Sequence, residues 1–186
     1  MSDDVRELVQ LCLGGDEAAM AALVARYRGQ VFGLCYRMLG NWEDADDVTQ
    51  ESFVRVFRSL RHWDPTRDFK PWLLSIAGNR CRSVLATRKR RPPPKDMGDD
   101  VPDRTPDVHA VRHLAEEVEL ALSDLRQEYR QAFVLFHAQE LSYAEIAEVL
   151  GCPVGTVKTW VYRARRELAQ ILVRRGVVQE SRYEPG

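Results

Sequence analysis

No apolar stretch in the 186 residues approaches the ~20 needed to cross a bilayer. The first residues, Met1-Ser-Asp-Asp-Val-Arg-Glu7, are acidic and polar, which argues against a secretory signal and leads to the expectation of a cytoplasmic protein. Cysteine is scarce: Cys12, Cys35, Cys81 and Cys152 lie far apart within helical apolar patterns. With no Cys-x-x-Cys pair and no His/Cys cluster, no metal is expected, and buried reduced thiols are. Strand patterns are nearly missing as well. A phosphate-binding glycine loop and a nucleophile motif are absent, and His62, His109, His113 and His137 are scattered. Asp44, Asp46 and Asp47 share one helix without a second acidic or histidine cluster, so a nucleic-acid enzyme such as a recombinase lacks its catalytic set. No catalytic residue and no cofactor is expected. A net charge of −1 argues against a bulk polyanion binder coated in lysine.

What is present is helical periodicity, 45% hydrophobic residues and 30% charged ones, the composition of a soluble globular chain. Helices are predicted at 3–13, 16–39, 43–61, 70–90, 112–123, 126–138, 142–150 and 153–174, with Asp16 and Asn41 as caps or turn residues. The pattern lapses between Pro92 and Asp107. Pro92-Pro-Pro94, Pro102 and Pro106 oppose helix there, and five aspartates keep the segment hydrated. The expected architecture is all-α, with two small helical domains at 1–91 and 111–178, a flexible acidic linker at 92–110 and a tail at 179–186.

Charge is segregated along this plan. Residues 43–51 hold Glu43, Asp44, Asp46, Asp47 and Glu51 with no basic residue; residues 70–91 hold seven Lys or Arg with no acidic one. Such segregation suits a chain that touches both protein and nucleic acid.

The most informative segment is 140–166. Ser142 and Glu145 have the spacing of a capping box, Gly151 suits a left-handed helix end, and Pro153 is tolerated in the next first turn. Leu141, Ile146, Val149 and Leu150 give the first helix a buried face; Val154, Val157, Val161, Ala164 and Leu168 give one to the second. Gly155, Thr156, Lys158, Thr159, Tyr162, Arg163 and Arg166 are left pointing outward, residue types that suit base edges and phosphates in a major groove. An ordinary helical hairpin with a solvated basic face is the blander reading. Agreement of cap, turn and outward chemistry favours a DNA-reading helix-turn-helix.

Two further segments bear on function. In 44–60 a core side (Ala45, Val48, Ser52, Val56, Leu60, widened by Phe53 and Phe57) opposes a stripe of Asp47, Gln50, Glu51, Val54 and Arg58. On periodicity alone that stripe is a solvated surface. Residues 62–71 form a loop rich in aromatics and proline. It leads into a helix on which Leu73, Ile76, Ala77 and Val84 face the core, and Asn79, Arg80, Arg82 and Ser83 lie outside. Aromatics beside cations and an amide are what an unstacked strand requires; the blander reading is that Trp63, Phe69 and Trp72 are simply core, which suits Phe69 and Trp72 best.

Residues 44–60, Trp72-Leu-Leu-Ser-Ile-Ala-Gly-Asn79 and 141–166 together resemble bacterial extracytoplasmic-function (ECF) sigma factors of RNA polymerase, a likeness spanning about residues 5–175. The resemblance implies a promoter-specificity subunit. Asp47, Gln50, Glu51, Val54 and Arg58 would meet the clamp of the polymerase's largest subunit. Trp63, Lys70, Asn79, Arg80, Arg82 and the run Arg88, Lys89, Arg90, Arg91 would serve the minus-ten element. The outward helix-turn-helix residues would read the minus-thirty-five element, near the flap of the second-largest subunit. An anti-sigma factor is the further partner implied. Two departures stand out: Trp160 where arginine is frequent, and Phe136-His137 where a basic contact is frequent. The competing reading is a free-standing helix-turn-helix regulator, which leaves the aromatic loop and basic helix without a task.

Overall fold

The computed structural model describes residues 3–90 and 106–178. Eight α-helices run through them: α1 (Asp3–Leu13), α2 (Glu17–Leu39), α3 (Trp42–Ser59), α4 (Phe69–Arg90), α5 (Pro106–Ser123), α6 (Gln127–His137), α7 (Tyr143–Leu150) and α8 (Val154–Arg174). A 3-10 turn, Leu60–His62, follows α3. No strand occurs among the described residues, so the fold is all-α as expected. Nor is any described helix long and apolar enough to cross a membrane.

Local chemistry sets the helix ends. The Asp16 carboxylate accepts from the Ala19 amide at 2.9 Å, and Asn41 Oδ1 accepts from the Asp44 amide at 2.9 Å. Gly40 ends α2 at φ 68° and returns its N–H to Tyr36 O at 2.8 Å, a left-handed cap that costs glycine little. Most helix ends fall within two residues of the pattern-based expectation, and one differs by more. α5 begins at Pro106, within the expected linker, because proline lacks only an N–H that a first helical turn leaves unpaired anyway. Residues 92–105 of the expected linker and the tail 179–186 lie outside the described residues.

Helices α2, α3 and α4 pack on one another, with α1 against α2. Buried Leu23, Val31, Leu34, Met38, Val56, Leu73 and Leu74 form the centre of that packing. The predicted core face of α3 is realised: Ala45, Val48, Ser52, Phe53, Val56 and Leu60 are buried and Phe57 half-buried. In the other half α8 lies against α6, α7 and α5. The same apolar cluster continues from α2–α4 into Ala132, Val134 and Leu135 of α6, Leu141 before α7, and Ile146 of α7. A second cluster joins Leu122, Leu125 and Tyr129 to Ala164, Leu168 and Ile171. The two halves are therefore joined face to face, α4 against α7 and α2 against α5 and α6.

Polar groups tie this junction. Arg130 of α6 is buried and donates to Met38 O at the end of α2 (2.8 Å), to Leu125 O (3.2 Å) and to Ser123 O. One guanidinium thus serves carbonyls from both halves. Gln139 donates from Nε2 to Gln30 O at 3.0 Å, while its own carbonyl accepts from Lys70 Nζ at 2.5 Å. The cysteines are free, with Cys12, Cys35 and Cys81 buried and Cys152 half-buried.

Candidate nucleic-acid interface

The helix-turn-helix is built from α7 and α8. Ser142 accepts from the Glu145 amide at 3.2 Å, and the Glu145 carboxylate accepts from the Ser142 amide at 2.7 Å, completing the capping box. Gly151 takes φ 65°, and Pro153 precedes α8. Val157, Val161, Ala164 and Leu168 are buried on α8. Val154, assigned to the same face by spacing, is the first residue of α8 and is 40% exposed.

The outward face holds Gly155, Lys158, Thr159, Tyr162, Arg163 and Arg166 exposed, with Thr156 half-buried. Tyr162 is 52% exposed, unusual for a large ring without a ligand. Lys158 Nζ lies 5.9 Å from the centroid of Tyr143, which stacks on Phe136 at 4.7 Å. Arg163 Nη1 donates to Tyr129 Oη at 2.9 Å, and that hydrogen bond raises the arginine pKa further. The Thr159 hydroxyl donates to Gly155 O at 2.9 Å.

A cation missed in the sequence appears here. Arg165 lies 5.3 Å from the Phe136 centroid, and its Nε donates to His137 Nε2 at 3.0 Å. Burial first, and Arg165 second, hold His137 below its ordinary pKa, which keeps the imidazole neutral and able to accept. α8 thus brings a positive charge to the place where Phe136-His137 departs from the family pattern. The spacing 158, 162, 165 is one helical face and would have found it. Trp160 is half-buried and packs on both apolar clusters, so it acts as a spacer between α8 and its neighbours.

In the other half, α3 and α4 enclose an open groove of about 1070 Å³ lined by Asp47, Gln50, Glu51, Val54 and Arg58 from α3 and by Asn79 and Arg80 from α4. Val54, 48% exposed, and half-buried Ile76 are the apolar residues of its lining. Arg80 and Glu51, assigned from sequence to different ligands, are paired with each other: Nη2 is 3.2 Å from Oε1, and Nε meets Oε2. This hydrogen bonding holds the Glu51 carboxyl below the usual carboxylate range.

The residues expected at the minus-ten element fall in several environments. Trp63 is buried, edge-on to Phe69 at 5.4 Å, and its Nε1 is buried without a partner. Arg82 donates to Asn79 and, from Nη1, to Gln131 Oε1 of α6 at 3.4 Å. Lys70 reaches the Gln139 carbonyl, as above. Arg88 donates to Leu39 O at 2.9 Å and pairs with Asp44. Lys89 and Arg90 are exposed at the end of α4; Arg91 lies outside the described residues. Between the loop and α7 a groove of about 330 Å³ is bounded by Arg67, Pro71, Trp72 and Glu148. No group of three or more His, Cys, Asp or Glu among the described residues is placed to hold a metal.

Comparison with known proteins bears on the same segments. Residues 23–91 match the family model of Sigma-70 region 2, and residues 115–168 match that of Sigma-70, region 4. ECF RNA polymerase sigma factor SigW of Bacillus subtilis (strain 168) is 34% identical over 184 residues, covering 90% of this chain and 96% of that protein. ECF RNA polymerase sigma factor SigE of Mycolicibacterium smegmatis is 37% identical over 169 residues; the match covers 86% of this chain and 65% of that protein, about two thirds of its length. The solved structure of CnrH in complex with the cytosolic domain of CnrY superposes with a TM-score of 0.69 at 29% identity, covering 91% of this chain and 97% of that one.

Proposed function

Because this chain belongs to the ECF sigma factors of RNA polymerase, we propose that its two candidate surfaces divide the work of promoter recognition between them. The α8 face of Gly155, Thr156, Lys158, Thr159, Tyr162, Arg163 and Arg166 reads duplex at the minus-thirty-five element. Arg163 is tethered to the Tyr129 hydroxyl and Lys158 lies near the Tyr143 ring, contacts that reduce the side-chain entropy lost on binding. The α3 stripe of Asp47, Gln50, Glu51, Val54 and Arg58 docks on the clamp of the largest polymerase subunit. Lys70, Asn79, Arg80 and Arg82 serve the melted minus-ten strand, with the basic end of α4 on nearby phosphates. Trp63 supports the loop from beneath, since its ring is buried.

The observation that carries this reading is the coexistence, in one chain, of an exposed recognition helix and a polar groove on α3–α4. A free-standing regulator uses only the first. Neither surface brings together a nucleophile, a base and an oxyanion donor, so the chain acts as a specificity subunit and the polymerase supplies the chemistry. Two modest contacts on one chain reinforce each other through effective concentration. The place of action is the cytoplasm, with polymerase. An anti-sigma factor is the expected inhibitor, and the CnrH–CnrY complex offers the parallel of a fold of this kind held by a partner.

The test is transcription by purified core polymerase on a pool of upstream DNA, with and without the purified chain. New start sites that depend on the chain are expected. Their absence, with the chain shown to be folded, overturns the reading.

A further inference from the structure

At about 100° per residue, the outward face of α8 is a strip centred on Thr159 and Arg166. Lys158 and Arg165 run along one edge of it, and Arg163 and Gln170 along the other. A helix seated in a major groove lies between two sugar-phosphate walls, one beside each edge. The first edge is met by the end of α6, where Arg165 lies 5.3 Å from Phe136 and donates to His137. The second is met by the start of the same helix. There Arg126, Tyr129, Arg163, Arg166, Glu167 and Gln170 enclose an open pocket of about 330 Å³. Three arginines share one glutamate in it, which leaves the lining positive.

Tyr129 is 6% exposed, so its ring is a fixed wall of this pocket. Its hydroxyl accepts from Arg163 Nη1 at 2.9 Å and keeps its own proton to donate. The Arg126 guanidinium lies 5.8 Å from the centroid of the same ring. Arg126 and Arg166 are exposed, and no acidic side chain among the described residues pairs with either. Nor does a side chain cap the first turn of α6 at Arg126, which leaves its amides to an outside acceptor.

We propose that this pocket holds one backbone phosphate of the duplex, on the groove wall opposite Arg165, and so sets the depth and register at which α8 enters. It rests on the duplex-reading assignment of α8 made above, and it divides that face. Lys158, Thr159 and Tyr162 are left to base edges, while Arg163, drawn by Tyr129 to its edge, joins Arg126 and Arg166 on the phosphate. A phosphodiester carries one charge and offers two free oxygens, which guanidinium forks and a phenol proton can reach from different sides. Continuity decides the occupant: Arg163 and Arg166 belong both to the recognition face and to the pocket, so a duplex lying on α8 brings its backbone there. Arg126 then enters the interface from outside the helix-turn-helix, supplying position and no sequence information.

The test uses holoenzyme reconstituted from core polymerase and the full chain, on fluorescein-labelled duplex from upstream of a start site that the transcription pool yields. Arg126→Gln removes the charge at an exposed position and keeps a good helix former, so circular dichroism should not change. Binding should weaken about tenfold, the scale of one hydrogen bond to a charged group. The loss should be equal on unrelated upstream sequences, and the slope of log affinity against log salt should fall by about 1. Arg126→Lys, which keeps the charge, should retain most of the slope. Duplexes carrying a single methylphosphonate, neutral at one backbone position each, locate the contact. At one position the substitution should weaken the parent about tenfold and leave Arg126→Gln nearly unaffected. Unchanged affinity and slope in Arg126→Gln overturn the proposal. So does a loss confined to particular sequences, or one that no methylphosphonate position reproduces. Should Arg126→Gln misfold, Arg166→Gln, exposed on α8, is judged by the same criteria. A parent that yields no start sites overturns the promoter reading and the pocket with it; a parent that starts transcription but shows no such coupled position sinks only the pocket.

Discussion

Glu140 is the one non-glycine among the described residues with a positive φ, 56°. A side chain in that region crowds its own carbonyl at a cost of about 1 kcal/mol. The turn it makes sets Gln139 between Gln30 and Lys70 and begins the approach to α7. Glu140→Gly should therefore raise stability, by about 1 kcal/mol less what glycine's freedom takes back in the unfolded chain, as read by urea denaturation. Lys158 is an exposed cation whose ammonium lies 5.9 Å from the Tyr143 centroid. Lys158→Ala should weaken promoter binding by about 1–3 kcal/mol if the contact is to a base edge; equal weakening on unrelated duplexes would reduce it to a phosphate contact. At this scale the outward residues of α8 were legible because spacing alone decides which face a helical residue occupies. Trp63 was not. Its burial under Phe69 depends on where the loop returns, which no local pattern encodes.

At the scale of the element, caps and turns carried most of the information. Asp16, Asn41, Ser142 with Glu145, and Gly151 each satisfy or redirect a helix end within a few residues of themselves. Ser142→Ala should cost about 1 kcal/mol of stability by releasing the cap of α7. It should leave the far-ultraviolet spectrum nearly unchanged, since α7 is only eight residues long. The α3 stripe is a different case. Its periodicity is that of any solvated surface, and it becomes a candidate docking groove only because α4 supplies the opposite wall through Asn79 and Arg80. Asp47→Arg reverses an exposed charge on that groove without touching the core. Loss of association with core polymerase in a pull-down, with folding retained, is expected; undiminished association would reject the docking face. α5 shows the opposite lesson: a proline counted against helix is also a good way to begin one.

For the whole molecule, the junction between halves is the feature with the largest consequences. Arg130 delivers one charge to carbonyls of α2 and of the α5 end while its Nε stays unpartnered. Arg130→Met should lower stability by about 2–3 kcal/mol, the scale of hydrogen bonds to a charged group, measured as a shift of the urea midpoint at constant slope. Arg130→Lys should rescue little, because a single ammonium cannot span carbonyls that a planar fork reaches together. The sequence by itself determined most of the helices, their caps and the inward and outward faces, because each depends on periodicity or on partners a turn away. Only the tertiary structure decided that Lys70 and Arg82 face glutamines of the other half, that Gly78 is the space one of them fills, and that Arg80 and Glu51 neutralise each other across a groove. Those pairings join residues 29 to 69 positions apart, and over such separations a one-dimensional pattern carries no distance.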